Sequence, residues 1–193
     1  MSTALGESFR GNALSAAVSD LARGNGRFWG IVDEKNAGDL SRAVTDAFKD
    51  NPGCSLLIEY REQLNSNGER IGAEALLHWE HKRYGAVYPP LVFEIARESG
   101  DLYQLETYIL ERVVCDIEEL KERFGERFSV SVDVSASTLY DKRLIPFLQE
   151  LADRNKLRSG NVYINIREEN ELVMTGRLKE RIEKIRALGF EFT

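Results

Sequence analysis

From residue 54 onward, short strand-like runs take turns with longer runs of helical period, and this alternation constrains the fold more than any other feature. The clearest run is "RFSVSVDVS" at 127–135. Phe128, Val130, Val132 and Val134 fall on one face, with Ser129, Ser131 and Asp133 on the other. Before it, residues 101–123 repeat Leu102, Leu105, Ile109, Val113, Ile117 and Leu120 at helical spacing. After it come a helical run at 141–155, whose Pro146 confines the regular part mostly to the residues that follow, and the strand-like "NVYINIRE" at 161–168. Next is an amphipathic helix with Leu178, Ile182, Ile185 and Leu188, closed by Gly189, and then "FEFT" as the start of another strand. Strand, helix, strand, helix at these spacings predicts an α/β fold with a parallel sheet or barrel.

The first two strands read differently. "CSLLIEYREQL" and "ERIGAEALLHW" are separated only by "NSNG", which is turn chemistry, so they are expected to pair as an antiparallel hairpin. "PPLVFEIARES" opens with prolines suited to a first helical turn and stops at Gly100. Ahead of the hairpin, residues 1–53 read as a helical segment or linker, with helices over 10–23 and 37–49 around the strand-like "RFWGIVDE".

Composition excludes several functions. A net charge of −6 without a basic stripe argues against nucleic acid as a partner. No apolar run is long enough to span a bilayer and the N-terminus lacks a basic flank and apolar stretch, so the expectation is a cytoplasmic protein with no membrane partner. Cys54 and Cys115 stand far apart without histidine partners, so they read as buried or incidental thiols and not as a disulfide or zinc site.

One carboxylate stands out. In "IGAEALLHWEH" at 71–81, Glu74 interrupts an apolar strand-like run, a costly placement unless something pairs with it. The run "GERIGAEALLHWEHKRYGAVYPPLVFEIARESGDLYQLETYIL" resembles the start of the EAL domain, the family of cyclic di-GMP phosphodiesterases named for the tripeptide found here as Glu74, Ala75 and Leu76. The likeness continues through the helix led by Pro89, "ESG" at 98–100, "SVDVSAS" at 131–137, "INIREEN" at 164–170 and the closing "LKERIEKIRALGFEFT". It implies a modified β/α barrel, with residues 54–193 as the N-terminal half of an EAL-like domain. It also implies metal-assisted hydrolysis of a phosphodiester, where magnesium or manganese held by hard oxygen ligands activates water. The N-terminal "ALSAAVSDLARGNGRFWGIVD" loosely resembles the tail of a GGDEF domain.

Carried across position by position, the resemblance implies a depleted ligand set. Glu74 matches the family's first metal-binding Glu. Asp133 stands where the family has a metal-binding Asn, and Asn165 where it has another Glu. His78 replaces an arginine that meets the ligand's phosphate, and Tyr60 or Arg61 occupies the usual Gln-Pro region near the substrate. Leu76, His78 and Tyr60 are thereby the candidate nucleotide contacts. The family's paired aspartates follow the strand that begins "GFEFT", and the sequence stops at Thr193, before them.

Plain structural roles stand beside these. Glu74 is a metal ligand or a salt-bridged carboxylate, and Asp133 is a metal contact or a partner of a neighbouring hydroxyl. His78 is a phosphate contact or a structural partner of Glu74 or Asp133. Arg167, on the same strand face as Asn165, is placed to neutralise the acids in place of metal.

The expectation is a non-catalytic, degenerate EAL-like domain in bacterial cyclic di-GMP signalling, acting by protein or nucleotide binding. No cofactor is expected as it stands, and magnesium or manganese if the domain is complete and active. A whole barrel needs on the order of 250 residues. The open half is therefore expected to be covered by a longer polypeptide, a second copy or a protein partner, or closed by the N-terminal residues. The alternative function is a fragment of an active phosphodiesterase whose other catalytic residues lie beyond residue 193.

Overall fold

The computed structural model describes residues 56–81, 85–167 and 175–193. The helices and strand expected over 10–49, and Cys54, lie outside them. The hairpin comprises β1 (Leu56–Leu64) and β2 (Arg70–His81), which are neighbours in the sheet. A five-residue connection between paired strands permits only the antiparallel arrangement. Asn65 closes the turn: its Oδ1 accepts the backbone N–H groups of Asn67 and Glu69, both at 2.9 Å.

β3 (Gly85–Val87) pairs antiparallel with the end of β2, Trp79 opposite Val87. Three residues are too few to show a period, so it was not legible in the sequence. α1 (Pro89–Ser99) ends as expected at Gly100, whose φ of 81° is the left-handed conformation that glycine adopts without steric cost. α2 spans Leu102–Phe124.

The chain forms two compact units. Within residues 77–105, Leu77, Trp79, Val87, Leu91, Val92, Ile95 and Leu105 are buried and make an apolar core. The second unit holds residues 58–76 and 106–193. To β1, β2 and α2 it adds β4 (Ser129–Ser135), α3 (Ala136–Tyr140), α4 (Leu144–Asn155), β5 (Val162–Arg167), α5 (Gly176–Arg186) and β6 (Phe190–Phe192).

The sheet order is β1-β2-β4-β5-β6, and β2, β4, β5 and β6 run parallel. Ala73 and Ala75 on β2, Val130, Val132 and Val134 on β4, Val162 and Ile164 on β5, and Phe190 on β6 are all buried. The matching layer comes from Ile109, Val113 and Ile117 of α2, Leu148 and Leu151 of α4, and Leu178, Ile182 and Ile185 of α5. Burying a side chain of valine or leucine size contributes about 1.5–3 kcal/mol, so this layer carries the unit.

Two local features differ from expectation. Pro146 is the third residue of α4, so the helix begins before it. A proline is tolerated there because the first four N–H groups have no partner inside the helix. α3 appears directly after β4, started by Ser135, whose Oγ accepts the Thr138 N–H at 3.2 Å.

β2 and β4 approach closely at Gly72, which lies opposite Ser129. A Cβ at Gly72 would sit 2.4 Å from the Ser129 carbonyl oxygen. Gly72→Val is expected to lower stability by about 1–3 kcal/mol through forced strand separation, read as a lower urea midpoint with an unchanged slope.

Candidate functional site

The strands that bury valines toward the helices turn Glu74, Ser131, Asp133, Tyr163, Asn165 and Glu191 to the opposite face, because alternate residues point to opposite sides. The parallel register orders them. Glu74 lies across from Ser131, Ser131 from Tyr163, and Tyr163 from Glu191. One pleat further on, Asp133 lies across from Asn165. Glu74 and Asp133 are thus diagonal neighbours on adjacent strands, about 8 Å apart between Cα atoms from strand spacing and rise.

Glu74 and Asp133 meet donors from their own sheet, whereas Glu191 accepts the Ser159 hydroxyl at 2.6 Å from outside it. Arg61 of β1 donates through Nη2 to Glu74 Oε2, the carboxylate being 21% and the arginine side chain 65% exposed. Two residues along β1, Gln63 Nε2 donates to Ser131 Oγ at 3.2 Å. Asn165 Nδ2 donates to Asp133 Oδ1 at 3.2 Å, and Arg167 Nη1 lies 3.9 Å from Asp133 Oδ2. The Thr193 hydroxyl donates to Asn165 Oδ1. The three expected metal positions therefore share one face, with Asp133 and Asn165 touching and Glu74 one strand away.

A divalent ion of the magnesium type requires several oxygens converging on one point. Here Asn165 presents its amide N–H to Asp133, its carbonyl oxygen is taken by Thr193, and Glu74 is engaged by a guanidinium. Among the described residues no group of three or more His, Cys, Asp or Glu side chains is arranged to hold a metal ion. The described donors do not fit a divalent ion as they are disposed.

The expected nucleotide contacts are distributed unevenly. Leu76 and His78 follow Glu74 at alternate positions of β2, both half-buried. Tyr60 is adjacent to Arg61, so alternation sends it to the other side of β1, where its hydroxyl donates to Asp116 Oδ2 of α2 at 2.8 Å. Burial, followed by that hydrogen bond and the Asp116 charge, pushes the phenol pKa far above its ordinary value. Cys115, beside Asp116 on α2, is exposed and unpaired by disulfide.

Glu106 went unremarked in the sequence. It is 3% exposed, and its carboxylate accepts the Ser135 backbone N–H at 3.1 Å and the Ser135 hydroxyl at 2.9 Å. It thereby fixes the residue at which β4 ends and α3 starts, two positions beyond Asp133. The available signal was a charge lying between Leu102 and Ile109 in the apolar stripe of α2.

Parallel strands alternating with helices, with polar groups gathered on one sheet face, define an α/β protein built on a mixed sheet. Residues 42–193 match the EAL domain, and the chain belongs to this family, whose domains have a TIM-like barrel fold. An uncharacterised protein of Mycobacterium tuberculosis is 28% identical over 120 residues, which are 62% of this chain and 39% of the relative. The bifunctional diguanylate cyclase/cyclic di-GMP phosphodiesterase MucR of Pseudomonas aeruginosa is 22% identical over 135 residues, 69% of this chain and 20% of that protein. The MucR phosphodiesterase in complex with c-di-GMP superposes with a TM-score of 0.69 at 20% identity, over 78% of this chain and 62% of that one. The EAL domain of Xanthomonas citri FimX in complex with c-di-GMP gives 0.66 at 15% identity, over 80% and 59%. The chain thus spans well under half the length of the curated relatives it matches and is related to cyclic di-GMP signalling proteins. Among the described residues no helix is long and apolar enough to cross a membrane.

Glu106→Ala leaves two Ser135 donors without this acceptor and is expected to lower stability by at least about 2 kcal/mol in urea unfolding, with a smaller loss for Glu106→Gln. Because the folded state holds Tyr60 protonated while the unfolded chain ionises it near its ordinary value of 10.0, stability should fall as pH rises above that value. Tyr60→Phe should remove this share of the alkaline slope while costing about 1 kcal/mol at neutral pH.

Proposed function

We propose that this chain is a non-catalytic EAL-like domain of bacterial cyclic di-GMP signalling that acts by binding a nucleotide or a protein. The observation that carries the reading is the Asp133–Asn165 pair. Two positions equivalent to family metal ligands are hydrogen-bonded to each other at 3.2 Å, and Arg167 lies beside the acid. The replacements Asp133 and Asn165 exchange a neutral ligand for a charge on one strand and a charge for a neutral ligand on the next. Together they make a self-satisfied pair, which favours binding over hydrolysis.

In this reading Glu74, Asp133 and Asn165 keep the metal-ligand positions of the family while serving one another and the neighbouring arginines. Leu76 and His78 are the strand positions assigned to a nucleotide, and Tyr60 supports β1 through Asp116. Residues 54–193 constitute the EAL-like part, and 1–53 a preceding segment, with the family match reaching back to residue 42. The remaining sheet edge is covered by a protein partner or a second copy, and the domain works in the cytoplasm.

A second reading is favoured by coverage. The likeness extends over 62% of the MucR phosphodiesterase chain, and Glu74 holds the first ligand position. Here the chain is part of a longer active phosphodiesterase whose further ligands, with magnesium or manganese, come from outside these residues. The coding sequence downstream of residue 193 distinguishes the two.

The test is a paired measurement with cyclic di-GMP. Titration calorimetry is expected to show binding, or sedimentation a stable complex with a protein partner, and incubation with manganese is expected to leave the nucleotide intact. Accumulation of the linear dinucleotide would overturn the non-catalytic reading.

A further inference from the structure

We infer that Arg61 occupies, as an internal counter-ion, the place at Glu74 that a divalent cation takes in this fold family, so that metal and arginine compete for one carboxylate. The inference rests on reading the polar sheet face as the family's site.

The geometry is specific. Arg61 comes from the strand next to Glu74, and its Nη2 donates to Glu74 Oε2. Register places Glu74 across from Ser131, and Ser131 is itself bonded by Gln63, two residues from Arg61 on the same face of β1. β1 therefore lays a guanidinium and an amide along the face that carries the acid, and neither adds an oxygen toward a metal through these contacts. A guanidinium stays protonated at all accessible pH and presents only N–H donors, so it can neutralise Glu74 but never ligate a metal beside it.

The second acid is handled alike. Asp133 receives the Asn165 amide at 3.2 Å, with the Arg167 guanidinium 3.9 Å away. Two carboxylates are matched by two guanidiniums, so the local charge that would attract a divalent ion is already balanced. Because the Arg61 side chain is 65% exposed, its removal leaves the buried layer of the sheet untouched.

The experiment measures manganese alone, by the loss of the free-ion electron paramagnetic resonance signal, with no nucleotide present. The wild-type chain is compared with Arg61→Met, Arg61→Lys and the double variant Arg61→Met/Glu74→Gln. Removing one positive charge at contact distance from a divalent ion in a solvated site is expected to tighten binding by about tenfold or more. Arg61→Lys should remain near wild type, and Glu74→Gln in the Arg61→Met background should abolish the gain. Manganese binding as tight in the wild type as in Arg61→Met, or a gain that survives Glu74→Gln, overturns the inference. Turnover of cyclic di-GMP would instead sink the non-catalytic reading and leave the metal competition to be decided by these titrations.

Discussion

The parallel register between β4 and β5 is the constraint on which the rest of the second unit depends. It sets Val132 against Ile164 on one face and Asp133 against Asn165 on the other. A slip of one residue would turn the valines to the polar face and drive the aspartate under the helices, where an unpaired charge is expensive. The apolar half of the register holds the sheet to α2, α4 and α5. The polar half decides which side chains meet across it, so packing and site chemistry are set by the same pairing.

What the polar face does with its acids follows from that arrangement. Parallel strands bring equivalent positions alongside one another, and Glu74, Asp133 and Asn165 gather on one face. Yet a carboxylate at such a position acts according to its neighbours. Arg61 and Asn165 lie close enough to engage the carboxylate oxygens of Glu74 and Asp133.

Glu106 shows the same economy at the end of a strand. It is a buried acid reaching from α2 to satisfy both Ser135 donors, while the Ser135 hydroxyl caps α3. A helix start, a strand end and a buried carboxylate are thereby joined in one part-buried hydrogen-bonded set. Asp133 is presented from a strand whose far end is held in this way.

Much of this could be read along the chain, because the periods that make helices and strands are local. The hairpin through "NSNG", the Gly100 stop, the two faces of β4 and the EAL landmarks are all properties of neighbouring residues. The candidates Glu74, Asp133 and Asn165 were likewise visible as polar interruptions at recognisable positions. Arg167, on the strand face of Asn165, was legible as a counter-charge and lies 3.9 Å from Asp133, but the partner of Glu74 was not. Only the folded chain sent Tyr60 to Asp116, 56 residues away, and Arg61 to Glu74. The short elements β3 and α3 depended on pairing and capping in place of periodicity. Sequence alone settled the order of the longer described elements, the polarity of their faces and the family. Tertiary structure settled which groups touch, because contact between distant strands depends on register, and register is chosen by burying all the apolar faces at once.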